Sequence, residues 1–227
     1  MLISLGSNCC VRLQINNKIN SNRQTHLFDY IITGKIFNEK QKDKTKLKMD
    51  HKLTENYSVL NIIEILKINS FNINDFYYNK VLENEKKTNK IFIAEHCPIL
   101  HKYFISLHDL NWDKKNLKDV IDKFNRRLFR FRKLLIETKE HINFIRIEYS
   151  QFDINNYYKL VCFLLNNYPN LKFTINIIIT PNNICINNHN NFIKIYYKKD
   201  YLSGKKWDLK FENIDWNNIF NKIKNNK

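Results

Sequence analysis

Glycine is scarce in this chain, three residues among 227, and proline is just as rare. Tight turns that need a positive φ are therefore few, and each glycine position carries weight. Cysteine is present in the wrong arrangement for a scaffold. Cys9, Cys10, Cys97, Cys162 and Cys185 form an odd set with no CxxC pair, which disfavours a disulfide framework and a zinc knuckle and predicts reduced thiols. No apolar run approaches the roughly 20 residues of a membrane-spanning helix, and the N-terminus lacks the basic start and long apolar core of a signal peptide. A soluble intracellular protein is expected. The phosphate loop G-x-x-x-x-G-K-[ST], the dinucleotide fingerprint G-x-G-x-x-G and the metal motif H-E-x-x-H are all missing, so neither cofactor nor metal is expected.

Acidic residues are outnumbered, 22 against 38 basic ones, for a formal charge of +16. Such an excess points to a polyanionic partner. However, 31 of the 38 are lysine, and the chain is also crowded with asparagine and isoleucine. All three have A/T-rich codons, so base composition explains much of the charge without a ligand. Hydrophobic residues at 43% and aromatics at 14% suit a globular core.

What is present begins at the first residues. The apolar run Met1-Leu2-Ile3-Ser4-Leu5 breaks at Gly6, and Ser7-Asn8-Cys9-Cys10 leads into Val11, Leu13, Ile15 and Ile19 among polar residues. This reads as strand, tight turn, helix. A thiol at a helix start lies near unpaired backbone N–H groups, which favour the thiolate. Cys9 is thus a candidate nucleophile, with Asn8 and neighbouring backbone N–H groups as oxyanion donors. A small buried hydrophobe is the alternative for either cysteine.

Residues 26–33 form an apolar, aromatic patch around the carboxylate of Asp29, closed by Gly34. Residues 35–52 read as a solvated helix or loop, and 58–68 carry a helical apolar pattern. Residues 90–96 look like a strand, and 103–109 like an apolar segment ending in the polar pair His108-Asp109. Helix 117–140, strand 142–147, a helix around 157–167, a turn at 168–170 and strand 173–179 follow in order, the signature of parallel βαβ units. A short strand over 192–197 and a terminal helix near 214–220 complete the pattern. The architecture predicted is α/β, a mostly parallel sheet with helices on both faces, as one domain over 1–227. Residues 180–227 extend that same domain.

A thiol nucleophile needs a base, and His108 is the best placed by position, with His26, His96 and His101 as competitors. Asp29 is either a partly buried carboxylate seeking a partner or part of the site. Arg126, Arg127, Arg130 and Arg132 put four of the chain's seven arginines on one helix. Arg126 and Arg130 share a face that could bind phosphate or carboxylate, against the alternative of a solvated basic side. Arg146 interrupts an apolar strand and should meet an acidic partner or a ligand.

In order and spacing, Ile3-Ser4-Leu5-Gly6-Ser7-Asn8-Cys9, Phe28-Asp29-Tyr30-Ile31, Leu107-His108-Asp109, Arg126-Arg127-Leu128-Phe129-Arg130-Phe131 and Asn143-Phe144-Ile145-Arg146 resemble the family called "putative papain-like cysteine peptidases" of bacteria and large viruses. The resemblance spans about residues 1–150. It implies a thiol nucleophile at Cys9, a histidine base at His108, an aromatic-flanked aspartate at Asp29, and a peptide or other acyl substrate. If the source is viral, the host cytoplasm is the implied location. His26-Leu27 precedes Phe28 where the family usually has proline, Tyr30 replaces tryptophan, and Cys10 is extra.

Papain-like enzymes pair a helix-borne cysteine with a histidine on an antiparallel sheet, whereas residues 117–179 read as parallel units. A parallel sheet with an arginine cluster would also suit a glycosyl or phosphoryl transferase, or another nucleotide-binding enzyme, acting at the carboxyl ends of its strands. A basic polyanion-binding module is the non-enzymatic alternative.

Overall fold

The computed structural model describes residues 1–6, 11–12, 14–16, 26–29, 31–33, 59–77, 99–101, 104–106, 117–148, 152–179, 191–197 and 214–225. The segments expected at 35–52 and at 90–96 lie outside them.

The strands Leu2–Ser4 (β1), Ile142–Ile147 (β6), Phe173–Ile179 (β7) and Ile193–Tyr197 (β8) form one sheet in the order β1-β6-β7-β8. Every pairing in it is parallel, with Ile3 opposite Phe144, Phe144 opposite Ile175 and Ile177 opposite Ile195. All seven residues of β7 are buried, as a central strand covered on both faces must be.

Strand periodicity divides the core in two. Ile3, Ile142, Phe144, Ile175 and Ile177 face helices Leu60–Lys67 (α1), Leu117–Glu137 (α2) and Ile154–Asn167 (α3). Ile145, Ile147 and Ile178 turn the other way, onto Val11 and Ile15 and onto Trp216, Ile219, Phe220 and Ile223 of helix Trp216–Asn225 (α4). The predicted α/β sheet with helices on both faces is therefore what the chain forms. β8 and α4 supply its fourth strand and part of the second cover.

Local signals set the boundaries. The Asp153 side chain accepts the Asn155 N–H at 2.9 Å, capping α3 three residues before the expected start, as a short polar acceptor at that position should. The helix ends at Tyr168, ahead of Pro169. Along α2 the residues Phe124, Leu128, Phe131 and Leu135 are buried, at the spacing of one helical face. Asn125 ties α2 to the chain after α1 by accepting the Phe71 N–H at 2.6 Å and donating to its carbonyl at 3.1 Å.

A second sheet, which the sequence pattern did not predict, is antiparallel. Ile31–Thr33 (β2), Phe76–Tyr77 (β3), Ile99–His101 (β4) and Phe104–Ser106 (β5) pair in the order β2-β5-β4-β3. Strands of two or three residues are too short to display alternation. In the β2–β5 pair, Ile31 lies opposite Ser106 and Thr33 opposite Phe104.

Candidate active site

β1 runs into the only described glycine with a positive φ. Leu5 N–H still bonds to Ile145 O at 2.9 Å, and then Gly6 turns with φ 65°, a conformation costly for any residue with a Cβ. Gly6 N–H donates to Ser4 Oγ at 3.3 Å. Residue 11 is already helical. Cys9, Cys10 and Asn8 fall between these two points, outside the described residues, so the expected strand and helix flank them on both sides. His108 is also outside the described residues, two positions beyond the end of β5.

Beneath the turn lies a buried polar chain. Arg146, 1% exposed, donates from Nη1 to Leu5 O at 2.9 Å and from Nε to Glu148 Oε1 at 2.7 Å. Tyr157 on α3 donates its hydroxyl to the same Glu148 oxygen. Burial works against the charge on Arg146, but Glu148 and Tyr157 outweigh it and hold the guanidinium above its ordinary pKa. The Tyr157 phenol is pushed well above its usual value, first by burial and then by the Glu148 carboxylate. Glu148 is thus the acidic partner expected for Arg146. Glu148 N–H is fixed in turn by Ile178 O at 2.9 Å.

Asp29 occupies the second buried polar position. It accepts the His26 N–H at 2.6 Å, and its Oδ2 lies 3.4 Å from Arg12 Nε. Arg12 is 2% exposed and Asp29 is wholly buried. Phe28, next to it, meets Phe131 of α2 edge-on at 5.2 Å. Burial raises the Asp29 carboxyl to about 6, against the opposing pull of the His26 N–H, Arg12 and Arg127. Its Oδ1 has no hydrogen-bond partner among the described residues.

The arginines of α2 differ in their surroundings. Arg132 donates to Leu66 O, Ile68 O and, at 3.5 Å, Asn69 O, so it caps the carboxyl end of α1. Arg127 lies over the Phe124 ring, 5.9 Å from its centre, and its charge reaches Asp29. Arg126 is exposed and Arg130 half-buried. Lys123, one turn before them, is lowered to about 8 by burial and by Arg127 and Arg126.

Arg12, Glu148 and Tyr157 were absent from the sequence candidates. Glu148 carried a usable signal, since position i+2 on a strand shares a face with Arg146. Arg12 and Tyr157 join the site only through the tertiary fold. Among the described residues, no group of three or more His, Cys, Asp or Glu could hold a metal ion, and no helix is long and apolar enough to cross a membrane.

Comparison with known proteins gives one family. The family model described as "Putative papain-like cysteine peptidase (DUF1796)" matches residues 56–183, more than half of the chain, taking in β5, the arginine-rich helix and the β6-α3-β7 unit. Cys9 and Asp29 precede the matched segment. No curated protein and no solved structure matches the chain.

Proposed function

The chain belongs to the "putative papain-like cysteine peptidase" family, and from that premise we propose that it is a thiol hydrolase with Cys9 as nucleophile, His108 as base and Asp29 as the group that orients the base. Its substrate is a peptide, an isopeptide or another acyl compound. His108 takes the thiol proton, and the Cys9 thiolate adds to the acyl carbon. Asn8 and adjacent backbone N–H groups steady the oxyanion. The leaving amine departs with the proton from His108, and water then hydrolyses the thioester and restores the thiol.

The observation that carries this reading is the β2–β5 register. Ile31 pairs with Ser106, two residues after Asp29 and two before His108 in the sequence, so the strands next to these two groups in the chain are hydrogen-bonded neighbours. A buried carboxylate with an open oxygen is the partner an imidazole base requires. Asp29 is also held in a setting that raises its pKa, so its charge weakens the fold, and such groups gather at functional sites. An antiparallel strand that ends two residues before His108, and a strand, the Gly6 bend and a helical residue 11 on either side of Cys9, support a papain-like pairing. Arg126 and Arg130 are the cations that would meet an acidic part of the substrate.

Labelling by a thiol-directed acyl probe tests the assignment. The expected result is full labelling in Cys10→Ala, none at the reactive site in Cys9→Ala, and slow labelling at neutral pH in His108→Ala. Undiminished labelling of Cys9→Ala would overturn the reading.

A further inference from the structure

Arg146 is the only charged side chain of β6, and the Leu5 carbonyl, Glu148 and, through Glu148, Tyr157 gather around it beside an apolar core layer. Burying such a set gives little net stability, because apolar side chains of similar volume do as well or better. What the set does supply is fixed geometry. The planar guanidinium uses Nε on Glu148 and Nη1 on Leu5 O, so the direction of one contact dictates the direction of the other. Tyr157 pins the Glu148 oxygen from α3, and the Ile178 carbonyl pins its backbone from β7. The chain of contacts ends on the last carbonyl before Gly6.

We infer that Tyr157 and Glu148 are positioning residues for the thiol: through Arg146 they fix the Leu5 carbonyl and the path of the backbone into Gly6, three residues before Cys9 in the sequence. The inference rests on the reading of Cys9 as the nucleophile. It gives Arg146 a role in holding the turn rather than in binding substrate. A displacement of about 1 Å at a reacting group can cost on the order of a hundredfold in rate, so loosening one link of this chain should be visible in thiol chemistry.

The test is the pH profile of Cys9 alkylation by iodoacetamide, read by mass spectrometry, together with the melting temperature. Tyr157→Phe keeps the ring and removes only the hydroxyl. The rate constant at neutral pH is expected to fall about tenfold, with the profile displaced to higher pH, while Tyr158→Phe on the same helix leaves both unchanged. Arg146→Lys, which keeps the charge but cannot make both contacts in the same geometry, should move the profile the same way and serves if Tyr157→Phe does not fold. A lowered melting temperature with a wild-type profile in these variants assigns the network to stability alone and overturns the inference. Alkylation of the reactive thiol that persists in Cys9→Ala is a different outcome, and it overturns the thiol reading itself.

Discussion

Arg12 and Asp29 face each other at 3.4 Å with almost no solvent on either side, yet burial still lifts the Asp29 carboxyl to about 6 from an ordinary 3.8. Desolvation therefore exceeds the attraction between them. The fold holds this carboxylate at a cost, and the pair's behaviour on substitution follows from that inequality.

Replacing Asp29 with Asn should not unfold the protein. In the fold Asp29 keeps its proton up to about pH 6, whereas the unfolded chain loses it near 3.8. Its contribution to stability is complete below 3.8 and is lost as pH rises through about 6, an effect on the order of 3 kcal/mol. Asn mimics the protonated form, so urea midpoints at about pH 7 should be equal or higher in Asp29→Asn, and the gap between wild type and variant should close on acidification. Thiol reactivity should fall at least about tenfold in the same variant.

Arg12→Met should behave in the opposite sense. It leaves a buried carboxylate without the cation 3.4 Å away, a loss of about 3–5 kcal/mol when the carboxylate is charged. Chemical denaturation should show that loss at about pH 8 and little of it at about pH 5. An NMR titration of the Asp29 carboxyl should give a midpoint above that of wild type.

Gly6→Ala places a Cβ at φ 65°. The expected destabilisation is about 1–2 kcal/mol, measured by urea unfolding. The larger effect falls on chemistry, because a turn that relaxes towards negative φ redirects the residues that follow. Alkylation of Cys9 should slow by more than the stability change alone accounts for.

Arg132→Ala removes the guanidinium that caps α1 at Leu66, Ile68 and Asn69. About 1–3 kcal/mol should be lost. Amide exchange should quicken at the end of α1 and along 68–71, while Arg126→Ala, at an exposed position, changes neither.

Long periodic elements are legible in the amino-acid pattern itself. The β6-α3-β7 unit, α2, the turn at Gly6 and the strand at β8 follow from apolar spacing and from where glycine and proline fall. The start of α3 depends on the Asp153 cap, which apolar spacing does not register, and the antiparallel sheet cannot be read from runs of two or three residues. Asp29 is visible as a carboxylate among aromatics, but its partner Arg12 is not. Nothing local joins a helix after the first strand to a turn some 17 residues on. The arginine cluster stands out as one feature because it is contiguous in sequence. Helical geometry then sends Arg132 to the end of α1 and Arg127 towards Asp29, so adjacency does not amount to a shared task.

The pairing of β1 with β6 joins residues about 140 positions apart, Leu2 opposite Asn143. During synthesis Cys9 leaves the ribosome more than a hundred residues ahead of β6, the strand that pairs with β1 and carries Arg146. Contacts of such separation form late because loop closure must come first. Under the proposed role of Cys9, the thiol therefore emerges well before the sheet beside it can close, and reactivity would be switched on by the closing of one sheet edge.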